Sequence, residues 1–91
     1  MTEQYVTIKN RAGIHARPSA IIAETAAKFS SQITIINEAD NAIVNAKSVI
    51  GIMSLGASYN TTLLLRAEGP DEENAINTIA VIFEQRFGKE E

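Results

Sequence analysis

Stretches of strict polar–apolar alternation take turns with stretches of helical spacing along this chain, and that exchange leaves few folds open. "EQYVTIK" (3–9) puts Tyr5 on one side and Val6 and Ile8 on the other, as a half-buried strand does. "RAGIH" (11–15) is a loop with a glycine. From Ala16 to Phe29, Ile22, Ala26 and Phe29 recur at steps of four and three, and the small residues Ser19 and Ala23 widen the stripe, so a helix is expected. "QITIIN" (32–37) is a second strand rich in β-branched residues, "EADNA" (38–42) a polar turn, and "AIVNA" (42–46) a short third strand.

The apolar residues of "KSVIGIMSLGA" (47–57) cannot share one face. Ser48 suits an N-cap and Gly56 a stop, which predicts a two-turn helix from Val49 to Leu55. "TTLLLRAEG" (61–69) is a fourth strand whose unbroken apolar middle predicts a central place in the sheet. "GPDEEN" (69–74) announces a last helix, with proline at its first position and three acids in its first turn. Ile76, Ile79, Ala80, Phe83 and Phe87 form its core stripe, Arg86 falls in the last turn, and Gly88 ends it.

The order is β-α-β-β-α-β-α, an α+β arrangement in two layers. Helices cover one sheet face and the other faces water. The short hairpin makes the second and third strands antiparallel. The 91 residues are expected to form one domain spanning 1–91, near the lower limit for a single unaided core.

Composition removes several function classes. The net charge is −3 and the basic residues are scattered, which argues against nucleic acid. One histidine and no cysteine leave no metal site, no disulfide and no thiol chemistry, and no cofactor is expected. No apolar run could cross a bilayer, and "MTEQYVTIKN" lacks a secretory pattern, so a cytoplasmic protein away from membranes is expected.

The one histidine stands in "GIHARPSA" (13–20), at the start of the first helix. Pro18 is tolerated there because first-turn amides have no partner within the helix. The N–H groups of Ala16 and Arg17 can point at whatever precedes the helix. The helix dipole adds partial positive charge and Arg17 a fork of donors, which together make an anion site. A neutral imidazole beside such a pocket is a nucleophile for a phosphoryl group. The sequence places no second histidine, cysteine or acid beside His15 to activate water, as suits a carrier that holds the group without hydrolysing it. Position alone is equally consistent with His15 as a plain cap residue and Arg17 as a surface charge.

"GIHARP" resembles the active-site signature of HPr, the histidine-containing phosphocarrier family of the bacterial phosphoenolpyruvate-dependent sugar phosphotransferase system. "NAKSVIGIMSLGA" (45–57) is similar to that family's second signature, around its regulatory serine. The resemblance covers essentially the whole chain. It implies an open-faced β-sandwich with an antiparallel sheet in the order 1-4-2-3 and three helices on one face. It implies that His15 is phosphorylated on Nδ1 by enzyme I and then attacked by enzyme II A domains, with Arg17 stabilising the phosphate. The protein would be a phosphoryl carrier and a monomer, a substrate of other enzymes rather than an enzyme itself.

The same resemblance implies that Ser48 is the target of HPr kinase/phosphorylase, with a transcriptional regulator among the partners of the phosphoserine form. Ser48 is a good N-cap whatever else it does, a role worth ~1 kcal/mol. In a two-turn helix Ile52 and Leu55 face the core, leaving Val49, Ile50 and Met53 as an exposed apolar patch. In the family the similar patch docks partners, together with the helix side bearing Ala16 and Ala20. Glu24, on that side, departs from the pattern, and pairing with Lys28 four residues on is expected to occupy it. The "NEADNA" turn (37–42) departs too, being slightly longer than the family's hairpin. A different function class is a regulatory module of the same fold, such as the catabolite-repression paralogue. That paralogue works through phosphoserine and lacks the active-site histidine, which this chain has.

Overall fold

The computed structural model describes residues 1–89. Strands β1 (Thr2–Thr7), β2 (Gln32–Asn37), β3 (Ala42–Asn45) and β4 (Thr62–Glu68) pair antiparallel in the order β1-β4-β2-β3. Helices α1 (Ala16–Ala26), α2 (Val49–Ser54) and α3 (Glu72–Glu84) pack on one face of this sheet. The core between the layers joins Val6, Ile8, Ile33, Ile35, Leu63 and Leu65 from the strands and their extensions to Ile22, Ile52, Ile76, Ile79 and Phe83 from the helices.

β4 is central, as its apolar run predicts. Leu63 and Leu65 face the helices, so Leu64 must face the other way. There it belongs to a row crossing all four strands, Tyr5–Leu64–Ile36–Ile43. The helices cover only the opposite face, as expected, and this row lies on the open one. Leu64 and Ile36 are buried by their neighbours, while Tyr5 and Ile43 at the margins are exposed. The longer turn after β2 is a 3-10 turn over Glu38–Asp40, followed by Asn41 at φ 53°. The Tyr5 hydroxyl donates to Glu38 Oε1 at 2.8 Å and ties that turn to the row.

Two helix ends differ from expectation. α1 stops at Ala26 rather than reaching Phe29. Past it, the amides of Lys28 and Phe29 bond to Thr25 O and Ala26 O, three residues back, which tightens the chain into a turn. Phe29 packs half-buried from that turn. α3 stops at Glu84, so Arg86 is not in its last turn. Arg86, Phe87 and Gly88 have φ of 50°, 53° and 81° and turn the chain back. That turn still buries Phe87, edge-on to Phe83 with ring centroids 5.0 Å apart.

The start of α3 is also displaced. Pro70 is not its first residue, because Asp71 is the N-cap and its carbonyl accepts from Ala75 N at 2.9 Å. Only Glu72 and Glu73 lie in the first turn. The Asp71 carboxylate is engaged elsewhere. It accepts from Ser30 N at 2.9 Å, Ser31 N at 3.0 Å and the hydroxyls of both serines. Hydrogen bonding from Ser31 Oγ and the two amides lowers its pKa to about 2. At Gly69 (φ +150°) a Cβ would lie 2.7 Å from Ser31 Cα, so the two segments approach too closely for a side chain.

Candidate functional site

The loop after β1 is built to deliver His15 to the head of α1. Ile8 extends the strand pairing: its amide donates to Thr61 O and its carbonyl accepts from Asn60 N, both at 2.9 Å. Asn10 then closes a turn, with its carbonyl accepting from Gly13 N at 3.1 Å. Its side chain is 1 % exposed, and its amide Nδ2 donates to Gly13 O at 2.5 Å. Gly13 sits at φ +74°, where a Cβ would stand 2.7 Å from Ala57 O. The next amide, Ile14 N, donates to that same Ala57 carbonyl at 2.9 Å.

His15 is the N-cap of α1, with extended backbone (φ −111°, ψ −163°) and no bond from its ring to the helix amides. The ring is half-buried. The His15 carbonyl accepts from Ser19 N at 3.0 Å. Pro18 has no amide hydrogen, so the N–H groups of Ala16 and Arg17 stand ahead of the first intrahelical bond. The exposed Arg17 carries its charge in the same turn. The structure thus brings His15, Ala16 and Arg17 together at a positive helix end, an arrangement able to hold an anionic group bonded to the imidazole.

Ser48 is the N-cap of α2, and its hydroxyl accepts from Gly51 N at 3.0 Å. α2 packs against α1. The two sides of α2 divide as its sequence implies. Ile52 and Leu55 are buried, whereas Val49, Ile50 and Met53 are 38 %, 81 % and 43 % exposed. On α1, Ala16 and Glu24 are exposed and Ala20 is half-buried. The expected Glu24–Lys28 ion pair is not formed. Lys28 lies beyond the end of α1, where four-residue spacing no longer puts two side chains on one face.

Asn10 escaped the sequence reading. The available signal was "NRAG" (10–13), with asparagine first and glycine fourth, the preference of a type I turn. Spacing could not reveal that the side chain is buried and bonded to the loop it opens.

A family model described as "PTS HPr component phosphorylation site" matches residues 2–85. The phosphocarrier protein HPr of Treponema pallidum is 41 % identical over 90 residues, spanning 99 % of this chain and 100 % of its own. The crystal structure of HPr-C-His from Thermoanaerobacter tengcongensis superposes with a TM-score of 0.91 at 52 % identity, covering all of both chains. Crh, the Bacillus subtilis catabolite repression protein whose crystal structure is a swapped dimer, aligns at 36 % identity with a TM-score of 0.73. That alignment covers 94 % of this chain and 97 % of the Crh chain.

Proposed function

This chain belongs to the HPr family of phosphocarrier proteins, and from that premise we propose that His15 accepts a phosphoryl group from enzyme I and passes it to enzyme II A domains. The carrying observation is the placement of His15 as the N-cap of α1, with its ring unbonded to the helix amides. The Nδ1 lone pair forms the new phosphorus–nitrogen bond as the bond from phosphorus to its donor breaks. The amides of Ala16 and Arg17, together with the Arg17 guanidinium, receive the phosphoryl oxygens. In the onward step the acceptor attacks phosphorus, the bond to Nδ1 breaks, and the imidazole is restored. The protein is a carrier that works as a monomer and is not itself an enzyme. Ala16, Ala20, Val49, Ile50 and Met53 form the surface that partners share, with Met53 as its adaptable member.

Ser48 is the regulatory site of this reading, modified by HPr kinase/phosphorylase and read by a transcriptional regulator. A phosphate on an N-cap meets the positive end of α2 and keeps the helix formed. The likeness to Crh supports a second reading, in which phospho-Ser48 regulation is the main role. One assay separates the two. The protein is incubated with phosphoenolpyruvate and enzyme I, and an enzyme II A domain is then added. The carrier reading expects the phosphoryl group to arrive and then leave; a protein that never takes it up from enzyme I supports the regulatory reading.

A further inference from the structure

Asn10 is a buried polar residue, 1 % exposed, in the loop that leads to His15. Among the described residues, its hydrogen bonds go to the backbone leading to His15. Its carbonyl accepts from Gly13 N and its Nδ2 donates to Gly13 O, so it clasps Gly13 from both sides. The peptide joining Gly13 to Ile14 is thereby held at both polar atoms. Asn10 Nδ2 fixes its carbonyl, and Ala57 O fixes its N–H at 2.9 Å. Only Ile14 separates that peptide from His15, and Ile14 is itself 7 % exposed. The other side-chain atom, Asn10 Oδ1, is buried with no hydrogen-bond partner among the described residues. Burying an amide with half its capacity unmet is costly, and a position serving packing alone is better filled by an apolar side chain.

We propose that Asn10 is a positioning residue for phosphoryl transfer, setting where the His15 ring stands relative to the amides of Ala16 and Arg17. It touches neither phosphate nor partner and acts through the Gly13–Ile14 peptide. Transfer depends on the nucleophile lying in line with phosphorus, and small displacements of a reacting group are costly in rate. Removing the Nδ2 donor frees the Gly13 carbonyl to rotate and loosens the backbone that carries the imidazole.

This inference rests on the carrier reading. The test therefore follows enzyme I-dependent phosphorylation of the parent protein, of Asn10→Ala and Asn10→Ser, and of Ile79→Val as a core control on α3. All are assayed well below their melting temperatures. Asn10→Ala is expected to lower kcat for phosphorylation by about tenfold or more. KM should stay within about twofold, since the docking surface is untouched. Asn10→Ser keeps a donor on a shorter reach and should fall between, with its fold retained; it decides the question if Asn10→Ala does not fold. Exchange of the Ile14 amide should accelerate in both variants. A kcat within about twofold of the parent in the folded variants, or an equal loss in Ile79→Val, would overturn the role of Asn10. A parent protein that takes up no phosphoryl group would instead overturn the carrier reading itself.

Discussion

The amide of Ile14 donates to the carbonyl of Ala57 at 2.9 Å, so the loop that ends in His15 is sewn to the segment leaving α2. Gly13 makes this contact possible. Its φ of +74° is a left-handed value, and a methyl group there would press on Ala57 O at 2.7 Å. Gly13→Ala is expected to destabilise the fold by about 1–3 kcal/mol, from the left-handed backbone and the clash together. It should also slow phosphorylation, because relieving the clash moves His15. Thermal melting and a transfer assay on one preparation check both effects. An unchanged melting temperature would remove the contact from the account.

Arg17 lies exposed in the first turn of α1, while the residues beside it, Pro18 and Ser19, are buried. Its charge-assisted bonds to a phosphoryl group are each worth about 1.5–3 kcal/mol. Arg17→Ala should slow transfer at least about tenfold while the circular-dichroism spectrum is kept. Equal rates in parent and variant would take Arg17 out of the site.

Ser48 stands next to Val49 and Ile50, so a phosphate there brings about −2 charge to the apolar patch. Ser48→Asp carries about half of that charge. It should reduce the rate of His15 phosphorylation and keep the circular-dichroism spectrum and melting temperature. Added salt should return part of the rate, as screening does for an exposed charge. If Ser48→Asp takes up phosphate as fast as the parent at low salt, Ser48 acts only as a cap.

Asp71 joins the head of α3 to the turn before β2, and its pKa is lowered to about 2 from the usual carboxylate range. A depressed folded-state pKa stabilises the fold above the unfolded-state value and stops doing so as pH falls through about 2. Asp71→Asn should therefore melt below the parent at pH 7, with the gap narrowing between about pH 4 and pH 2. Melting curves over that range check the sign. A gap that widens on acidification would contradict it.

The fold was legible wherever one face of an element is buried and the other wet. β1 and the split faces of α2 follow from such patterning, whereas β2 follows from its β-branched run and the central place of β4 from an apolar run buried on both faces. Helix ends were less legible because tertiary bonds decide them. Asp71 spends its carboxylate on Ser30 and Ser31, and Phe87 reaches the core through a left-handed turn rather than another helical turn. The buried pair Ile36 and Leu64 on the open face depends on cross-strand register, which a single strand does not encode. The place of His15 and Arg17 at the start of α1 was legible from the small-residue run that follows them, but helix-start chemistry alone fits a plain cap equally well, and it is the resemblance of "GIHARP" that singles them out. Asn10 was not legible, because its partner is a backbone atom and its burial arises only once the loop closes.

The central claim, that His15 carries the phosphoryl group, is tested by labelling from phosphoenolpyruvate through enzyme I in the parent and in His15→Ala. The parent should gain one group whose bond is labile in acid and stable in alkali, as a phosphorus–nitrogen bond is, and His15→Ala should gain none. Labelling of His15→Ala at the parent's rate, or a parent product stable in acid, would contradict the account.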